Sequence, residues 1–555
     1  MKQIVRLRPW QKQALDAFHA HSGADFLAVA TPGAGKTTFA VVAALHALRG
    51  GARRVVVVAP TAHLKAQWAN AAARFGMQLD PAWSAGSRLA ADMHGIVTTY
   101  QQVSSNADAL RGLSDGSFTV LDEIHHAGEE RAWGDAVRIA FEPATRRLSL
   151  SGTPFRSDTR SIPFVQYRLD EATADYEYGY GEALKDGGVV RPAYFPRING
   201  FMEWVAPDGS LNAASFEDAL DRTHSSQRLR TALSAQGDWL PDVLAQAHER
   251  LVALRERKPD AGGLVIAADQ EHARAIADLM RWRLRLNPTV VLSDDPTASD
   301  RIKHFAEGTQ PWIVAVRMVS EGVDIPRLTI GVYATTTTTE LFFRQAVGRL
   351  VRWTPGIRRQ KAYLFIPDDP RLRTWAAQIT DIRRHSLRTR ADDMGGEAET
   401  DGRPVDDGSA LDPATQEPDE QLSLFTALSA TVADGPHTIV GVFDEDYDDF
   451  GSDHPGTESE LDGLDLPGLE IDIAALAPPL AFRGEQAGLS RFEQKEALRA
   501  TNAELARELV RFTALTHAQV NAQLNRSVGL RSIDEATVEQ LGRRAVEAQR
   551  WRSRL

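Results

Sequence analysis

The chain has no cysteine among its 555 residues. That excludes disulfides and thiolate zinc sites, and it fits a protein of the cytoplasm. No apolar run is long enough to cross a bilayer, and residues 1–25 carry no long apolar stretch. A soluble cytoplasmic protein with no membrane partner is therefore expected. Basic residues are nearly missing from 391–475, which holds 24 Asp and Glu against one Arg. That stretch alone carries −23 while the whole chain carries −12, so the remainder carries +11. A basic body beside an acidic tether is compatible with a polyanionic partner, although surplus arginines can equally be solvated surface. A chain of this length is too long for one core, and about two or three domains with linkers are expected.

The most informative stretch is Ala30 to Thr38, A-T-P-G-A-G-K-T-T. Phe26 to Val29 before it reads as a short buried strand, and Thr38 to Leu48 after it is apolar at helical spacing. Strand, glycine turn and helix are the context a phosphate loop needs. Gly33 and Gly35 let the backbone close around phosphate oxygens with its N–H groups pointing inward. Lys36 is placed to reach the β- and γ-phosphates, and the Thr37 hydroxyl to hold Mg²⁺. Ala30 stands where the first glycine of such loops is usual. A glycine-rich turn that merely opens a helix would not need the Lys and Thr as well.

Val55 to Val58 is a β-branched run, as in a strand buried on both faces of a parallel sheet. Gly95 to Val97, Phe118 to Leu121 and Leu148 to Leu150 read as further short strands. Each ends in a polar cluster: Ala59-Pro60-Thr61, Thr98-Thr99-Tyr100, Asp122-Glu123-Ile124-His125 and Ser151-Gly152-Thr153-Pro154. Polar clusters at the carboxyl ends of alternating strands and helices mark a doubly wound α/β domain with ligands along that edge. Behind a phosphate loop, Asp122 can hold Mg²⁺ through water while Glu123 orients the attacking water.

A second α/β pattern begins at 192, with expected strands at Gly263 to Ile266, Trp312 to Val316, Leu328 to Tyr333 and Ala362 to Ile366. It lacks a phosphate loop of its own. It carries Ser320-Glu321-Gly322-Val323-Asp324-Ile325-Pro326 and then Gln345-Ala346-Val347-Gly348-Arg349-Leu350-Val351-Arg352. On a helix Gln345, Arg349 and Arg352 share one face, and two guanidiniums there can clamp a phosphate supplied from elsewhere. An arginine pair on a solvated helix face is the plainer alternative.

Most of 391–475 is too polar and acidic to bury a core and reads as disordered, with Thr438 to Phe443 as a short strand or docking element. Helical spacing returns from Leu489 to Leu555, with breaks near Val528-Gly529 and Ser532, and Ser532 to Glu535 resembles a capping box. Inside the acidic stretch, Gln421-Leu422-Ser423-Leu424-Phe425 puts two leucines and a phenylalanine among solvent-seeking residues.

Taken in order, these motifs resemble those of superfamily 2 helicases, in the DEAD/DEAH-box DNA branch with restriction-subunit-like (ResIII-type) members. Leu7-Arg8-Pro9-Trp10-Gln11 resembles the adenine-reading motif of that branch, and the match covers roughly residues 1–390. Gly152 departs from the usual Ala. The resemblance implies two tandem RecA-like doubly wound parallel-sheet domains, at 1–165 and 166–390. An acidic disordered linker at 391–480 and a small all-α C-terminal domain at 485–555 complete the expected architecture. It implies that Arg8 and Gln11 read adenine, and that Gly33, Gly35, Lys36, Thr37, Thr38 and Asp324 bind ATP. Thr37 and Asp122 would hold Mg²⁺. Glu123, Gln345, Arg349 and Arg352 would be catalytic, with Arg352 as the arginine finger. His125, Ser151 and Thr153 would couple the ATP site to a nucleic-acid track formed by Pro60, Thr61, Thr98, Thr99 and Gly322. The expected activity is ATP hydrolysis coupled to movement on DNA, or to its unwinding, in replication, repair or recombination. The alternatives are an RNA helicase and the duplex-translocating motor subunit of a restriction or defence complex. The pentapeptide Gln421 to Phe425 resembles the motif by which bacterial DNA-handling proteins bind the sliding clamp.

Overall fold

The computed structural model describes residues 4–128, 131–152, 162–168, 171–292, 295, 297–316, 325–354, 356–357, 360–393, 426–432, 439–440, 469–472 and 490–555. Among them the body is built on two seven-stranded sheets. The first runs, edge to edge, Tyr176–Tyr178, Asp25–Ala30, Arg146–Ser151, Phe118–Leu121, Val55–Ala59, Gly95–Thr99 and Leu79–Asp80, and every pairing is parallel. Val55–Ala59 is buried along its whole length, which a β-branched run between two helical layers requires. The edge strand Tyr176–Tyr178 comes from beyond the expected boundary at residue 165, so the first sheet takes in chain from the expected second domain.

The second sheet runs Thr289–Val291, Trp312–Ala315, Gly262–Ala267, Leu328–Ala334, Ala362–Pro367, Ala193–Ile198 and Ile439–Val440, with only the last pairing antiparallel. Both sheets are doubly wound and RecA-like, as expected. A hairpin of Gly200–Val205 and Leu211–Ser215 extends from the second.

The acidic stretch departs from expectation where it is described. Thr426–Val432 pairs antiparallel with Gly200–Val205, and Ala430 is buried. The segment T-A-L-S-A-T-V contains no charged residue, so no charge opposes its pairing in a sheet. Leu469–Asp472 pairs with Ile4–Leu7, immediately before Arg8.

Three helices close the described chain, Arg491–Phe512, His517–Ser527 and Val538–Arg552. The last is capped by Thr537 with Gln540, not by Ser532 with Glu535. Ser532 Oγ instead accepts from the Asp534 N–H in the preceding turn. The first of these helices packs onto the first domain through Asp92, which is 1% exposed. Asp92 takes Lys495 Nζ at 3.3 Å, Arg491 Nη1 at 3.6 Å and the Val538 N–H at 3.0 Å.

Candidate nucleotide site between the two sheets

The loop after Asp25–Ala30 turns through Gly33 (φ 83°) and Gly35 (φ 96°) into the helix Lys36–Arg49. Both angles lie in the left-handed region, where a side chain would be strained. The loop is held from behind by the N-terminal motif. Arg8 Nη1 donates to the carbonyls of Gly33 (3.1 Å) and Ala34 (2.8 Å), Trp10 Nε1 to Ala34 (3.1 Å), and Gln11 Nε2 to Gly35 (2.9 Å). Trp10 stacks on Tyr178 with ring centroids 5.0 Å apart, and the Thr31 N–H bonds the Tyr178 carbonyl at 2.9 Å. In this structure Arg8 and Gln11 therefore bond the loop itself.

Opposite the loop stands the acidic pair. Glu123 has φ 47°, an uncommon conformation for a side-chain-bearing residue, and it turns its carboxylate toward Lys36. Lys36 Nζ lies 2.8 Å from Glu123 Oε1, and the Gly152 N–H donates to Oε2 at 2.8 Å. Burial pushes the Glu123 carboxyl up, but Lys36 and His125, whose Nδ1 is 3.6 Å away, outweigh it and hold the group well below the usual carboxylate range. Asp122 moves the other way, upward, because it is buried and faces the Glu123 charge. Trp68 Nε1 donates to Asp122 Oδ2 at 2.9 Å. An ionised carboxylate at this depth is the oxygen donor a hard divalent cation takes together with phosphate oxygens and water. Asp122 and Thr37, the latter in the first turn of Lys36–Arg49, are the residues that could hold a Mg²⁺ ion.

Gly152 stands where an added β-carbon would meet Lys36 Nζ at 3.0 Å and Glu123 Oε1 at 3.2 Å. The departure from Ala in this motif is thus accompanied by a close Lys36–Glu123 pair.

The second domain approaches along the helix Glu340–Leu350. Gln345 Nε2 lies 3.1 Å from His125 Nε2, and Ser151 Oγ lies 3.5 Å from His125 Nδ1. Ser151, His125 and Gln345 therefore form a polar chain across the cleft. The helix ends before Arg352, contrary to the expectation that Gln345, Arg349 and Arg352 share one helical face. Val351 is its cap, and Arg352 forms an antiparallel bridge with Val190. The break still carries Arg352 to the loop, because a β-carbon on Gly33 would meet Arg352 Cγ at 3.3 Å. Burial lowers the Arg352 guanidinium to about 10. Beside the loop opens a cavity of about 660 Å³, bordered by Thr31, Pro32, Gly152, Tyr180, Arg344 and Gly348.

The expected nucleic-acid contacts are less uniform. Pro60 and Thr61 are partly exposed at the start of Ala62–Ala73. Thr98 and Thr99 are 2% and 5% exposed, and the Thr99 hydroxyl accepts from the Gln102 N–H while Thr98 Oγ1 donates to Gln102 Oε1. Both hydroxyls bond Gln102 at the turn into Tyr100–Ser105. Thr153, Gly322, Asp324 and the pentapeptide Gln421, Leu422, Leu424 and Phe425 lie outside the described residues. Trp68 and Tyr178 are further residues of the site. Nothing local marks either one, since each acquires its role from a partner in a distant segment.

Residues 4–156 match the family described as Type III restriction enzyme, res subunit (ResIII). The chain is 41% identical over 536 residues to Uncharacterized protein ML1624 of Mycobacterium leprae (strain TN), a match covering 93% of this chain and 84% of that protein. It is 24% identical over 374 residues to DNA 3'-5' translocase XPB2 of Sulfurisphaera tokodaii, covering 63% of this chain and 80% of that one. Among solved structures, the ATP-dependent Type ISP restriction-modification enzyme LlaBIII bound to DNA superposes with a TM-score of 0.44 at 14% identity, over 70% of this chain and 30% of that chain.

Proposed function

The chain belongs to superfamily 2 helicases, in the ResIII-type branch, and from that premise we propose that it is a nucleic-acid-stimulated ATPase that moves along DNA or unwinds it. One observation carries the reading. The phosphate loop with its Lys36–Glu123 pair lies in one domain, and Arg352 of the other domain packs against the loop's Gly33. A site split in this way is complete only when the domains are together.

Lys36 must leave Glu123 to reach the β- and γ-phosphates of ATP. Glu123 is then free to orient water for attack on the γ-phosphate. Bound Mg²⁺, held by Thr37 and Asp122, would neutralise charge on the phosphate oxygens. Arg352 meets the charge that develops as the γ-phosphate departs, with Gln345 and Arg349 on the same side of the cleft. Arg8 and Gln11 exchange their loop carbonyls for the adenine edge. Gln345, His125 and Ser151 link the state of the cleft to the segment that follows Ser151, and Thr153 belongs to the same coupling, while Asp324 binds ATP. Pro60, Thr61 and Gly322 grip backbone phosphates, and such contacts carry little sequence preference.

DNA is favoured over RNA by the restriction-subunit family match and by the DNA translocase among the relatives. The translocase named among the relatives favours movement along DNA over strand separation. The deciding experiment measures ATP turnover with single-stranded, forked, branched and duplex DNA and with RNA, beside strand-displacement and triplex-displacement assays. Stimulation by RNA alone overturns the DNA reading. Triplex displacement without strand displacement selects the translocase.

The pentapeptide Gln421 to Phe425 is proposed as a sliding-clamp contact, since burying two leucines and a phenylalanine is worth roughly 1.5–3 kcal/mol each before the cost of ordering the segment. A peptide of residues 416–430 titrated against the clamp of the same organism tests it. Equal binding by the Gln421→Ala/Phe425→Ala peptide rules it out.

A further inference from the structure

Arg191 lies between the helix Tyr180–Asp186 and the strand Ala193–Ile198 of the second domain. Its side chain is fully buried, at 0% exposure. Among the described residues its hydrogen bonds go to backbone carbonyls of two separate segments. Nε donates to the Arg352 carbonyl at 2.6 Å, and Nη2 donates to the Pro326 carbonyl at 2.5 Å and also to that of Arg352. Its own N–H donates to the Val351 carbonyl at 2.7 Å, and its neighbour Val190 bridges Arg352.

A buried guanidinium is costly, and neutral carbonyls repay less of that cost than a carboxylate does. The geometry uses what an arginine alone offers, a rigid planar fork that can hold two acceptors at once. One acceptor belongs to the residue that packs on Gly33. The other closes the Ser320 to Pro326 motif. The turn beyond Arg352 is fixed from the far side as well, because Lys258 Nζ donates to Thr354 Oγ1 at 3.0 Å and Thr354 Oγ1 donates to the Pro326 carbonyl at 3.3 Å. The helix Glu340–Leu350 has ended by this point, so no helical hydrogen bond sets the direction in which the Arg352 side chain leaves the backbone.

We propose that Arg191 is a positioning residue for hydrolysis, clamping the backbone of Arg352 to that of Pro326 so that the Arg352 guanidinium is aimed at the phosphate loop. This rests on the reading of Arg352 as the arginine finger. Because Arg191 lies in the chain between Tyr176–Tyr178 of the first sheet and Ala193–Ile198 of the second, it also ties that aim to the connection between the two sheets.

The test is a double-mutant cycle in the full-length chain with Arg191→Lys, Arg352→Ala and the pair. The readouts are kcat and KM for DNA-stimulated ATP turnover, the Kd of a fluorescent ATP analogue, and Tm. Arg191→Lys keeps the charge and loses the fork, so kcat should fall about tenfold or more with Kd nearly unchanged. Adding it to Arg352→Ala should cause no further loss, since a residue that acts through Arg352 has nothing left to aim. Independent, multiplying losses overturn the proposal and leave the finger reading intact. Wild-type turnover in Arg352→Ala overturns the finger reading and the proposal with it. A lowered Tm with unchanged kcat in Arg191→Lys reduces the residue to a structural role. If Arg191→Lys does not fold, Arg191→Gln is measured in the same way, and failure of both to fold likewise assigns Arg191 to the fold alone.

Discussion

Gly348 of the second domain stands so close to Pro32 of the phosphate loop that a β-carbon on it would lie 2.5 Å from Pro32 Cγ. The neighbour is a proline ring, which cannot swing aside as a long side chain can. Closure of the cleft therefore depends on the missing side chain. Gly348→Ala should raise the helix propensity of Glu340–Leu350 by about 1 kcal/mol and leave Tm level or higher. It should nevertheless lower kcat by about tenfold or more, because the helix carrying Gln345 and Arg349 is held back. X-ray scattering with a non-hydrolysable nucleotide should show a variant that compacts less than wild type. Wild-type turnover would mean the domains meet by another approach.

The Lys36–Glu123 pair makes opposite predictions for its two members. Glu123→Gln releases Lys36 from a charge and removes the group that orients water. ATP affinity should hold or rise while turnover falls by roughly 10²–10⁴. Lys36→Ala removes the phosphate contact itself, so affinity should fall as well. Equilibrium binding beside single-turnover hydrolysis separates the two, and appreciable hydrolysis by Glu123→Gln would remove Glu123 from its role.

Lys258 supplies a pH dependence. It is 7% exposed, and burial, helped by Arg191 and Arg327 and opposed by Asp260, lowers it from 10.5 to about 8. Between those values the unfolded chain binds the proton that the folded chain has released. Stability from this group is thus full above the unfolded value and is lost as pH falls through about 8. Lys258→Met removes the buried charge and should stabilise at pH 7 by about 1–3 kcal/mol. The gap between variant and wild type should shrink as pH rises from about 8 to 10. Urea unfolding across that range provides the check, and a gap independent of pH contradicts the assignment.

Asp92 joins the C-terminal helices to the first domain. Asp92→Ala leaves Lys495, whose side chain is 2% exposed, as a buried cation without its carboxylate. A loss of about 3–5 kcal/mol is expected. Removing 490–555 should lower the Tm of the first domain by uncovering the same carboxylate. Removing 391–555 should additionally strip Thr426–Val432 from Gly200–Val205 and destabilise the second. Calorimetry of the three proteins distinguishes these, and an unchanged transition in Asp92→Ala would mean that the contact contributes nothing.

Much of the nucleotide site is written in short local runs. The phosphate loop, the Asp122-Glu123 pair at a strand end and the β-branched strands Val55–Ala59 and Phe118–Leu121 each depend on a few adjacent residues, so periodicity and turn chemistry reveal them. Other features needed the folded chain. The sequence pattern placed Arg352 on the helix with Gln345, whereas in the fold Val351 caps that helix and Arg352 pairs with Val190. Thr98 and Thr99 look like free hydroxyls at a strand end until Gln102 folds back to bond them. Arg191 carries no local mark, because its partners lie more than a hundred residues away. The strand Thr426–Val432 was hidden by the composition around it, since an average over an acidic stretch conceals seven uncharged residues. Local backbone preference and burial period act within one element and are legible along the chain. Which element stands opposite another depends on long-range packing, and tertiary structure alone decided the contacts across the cleft.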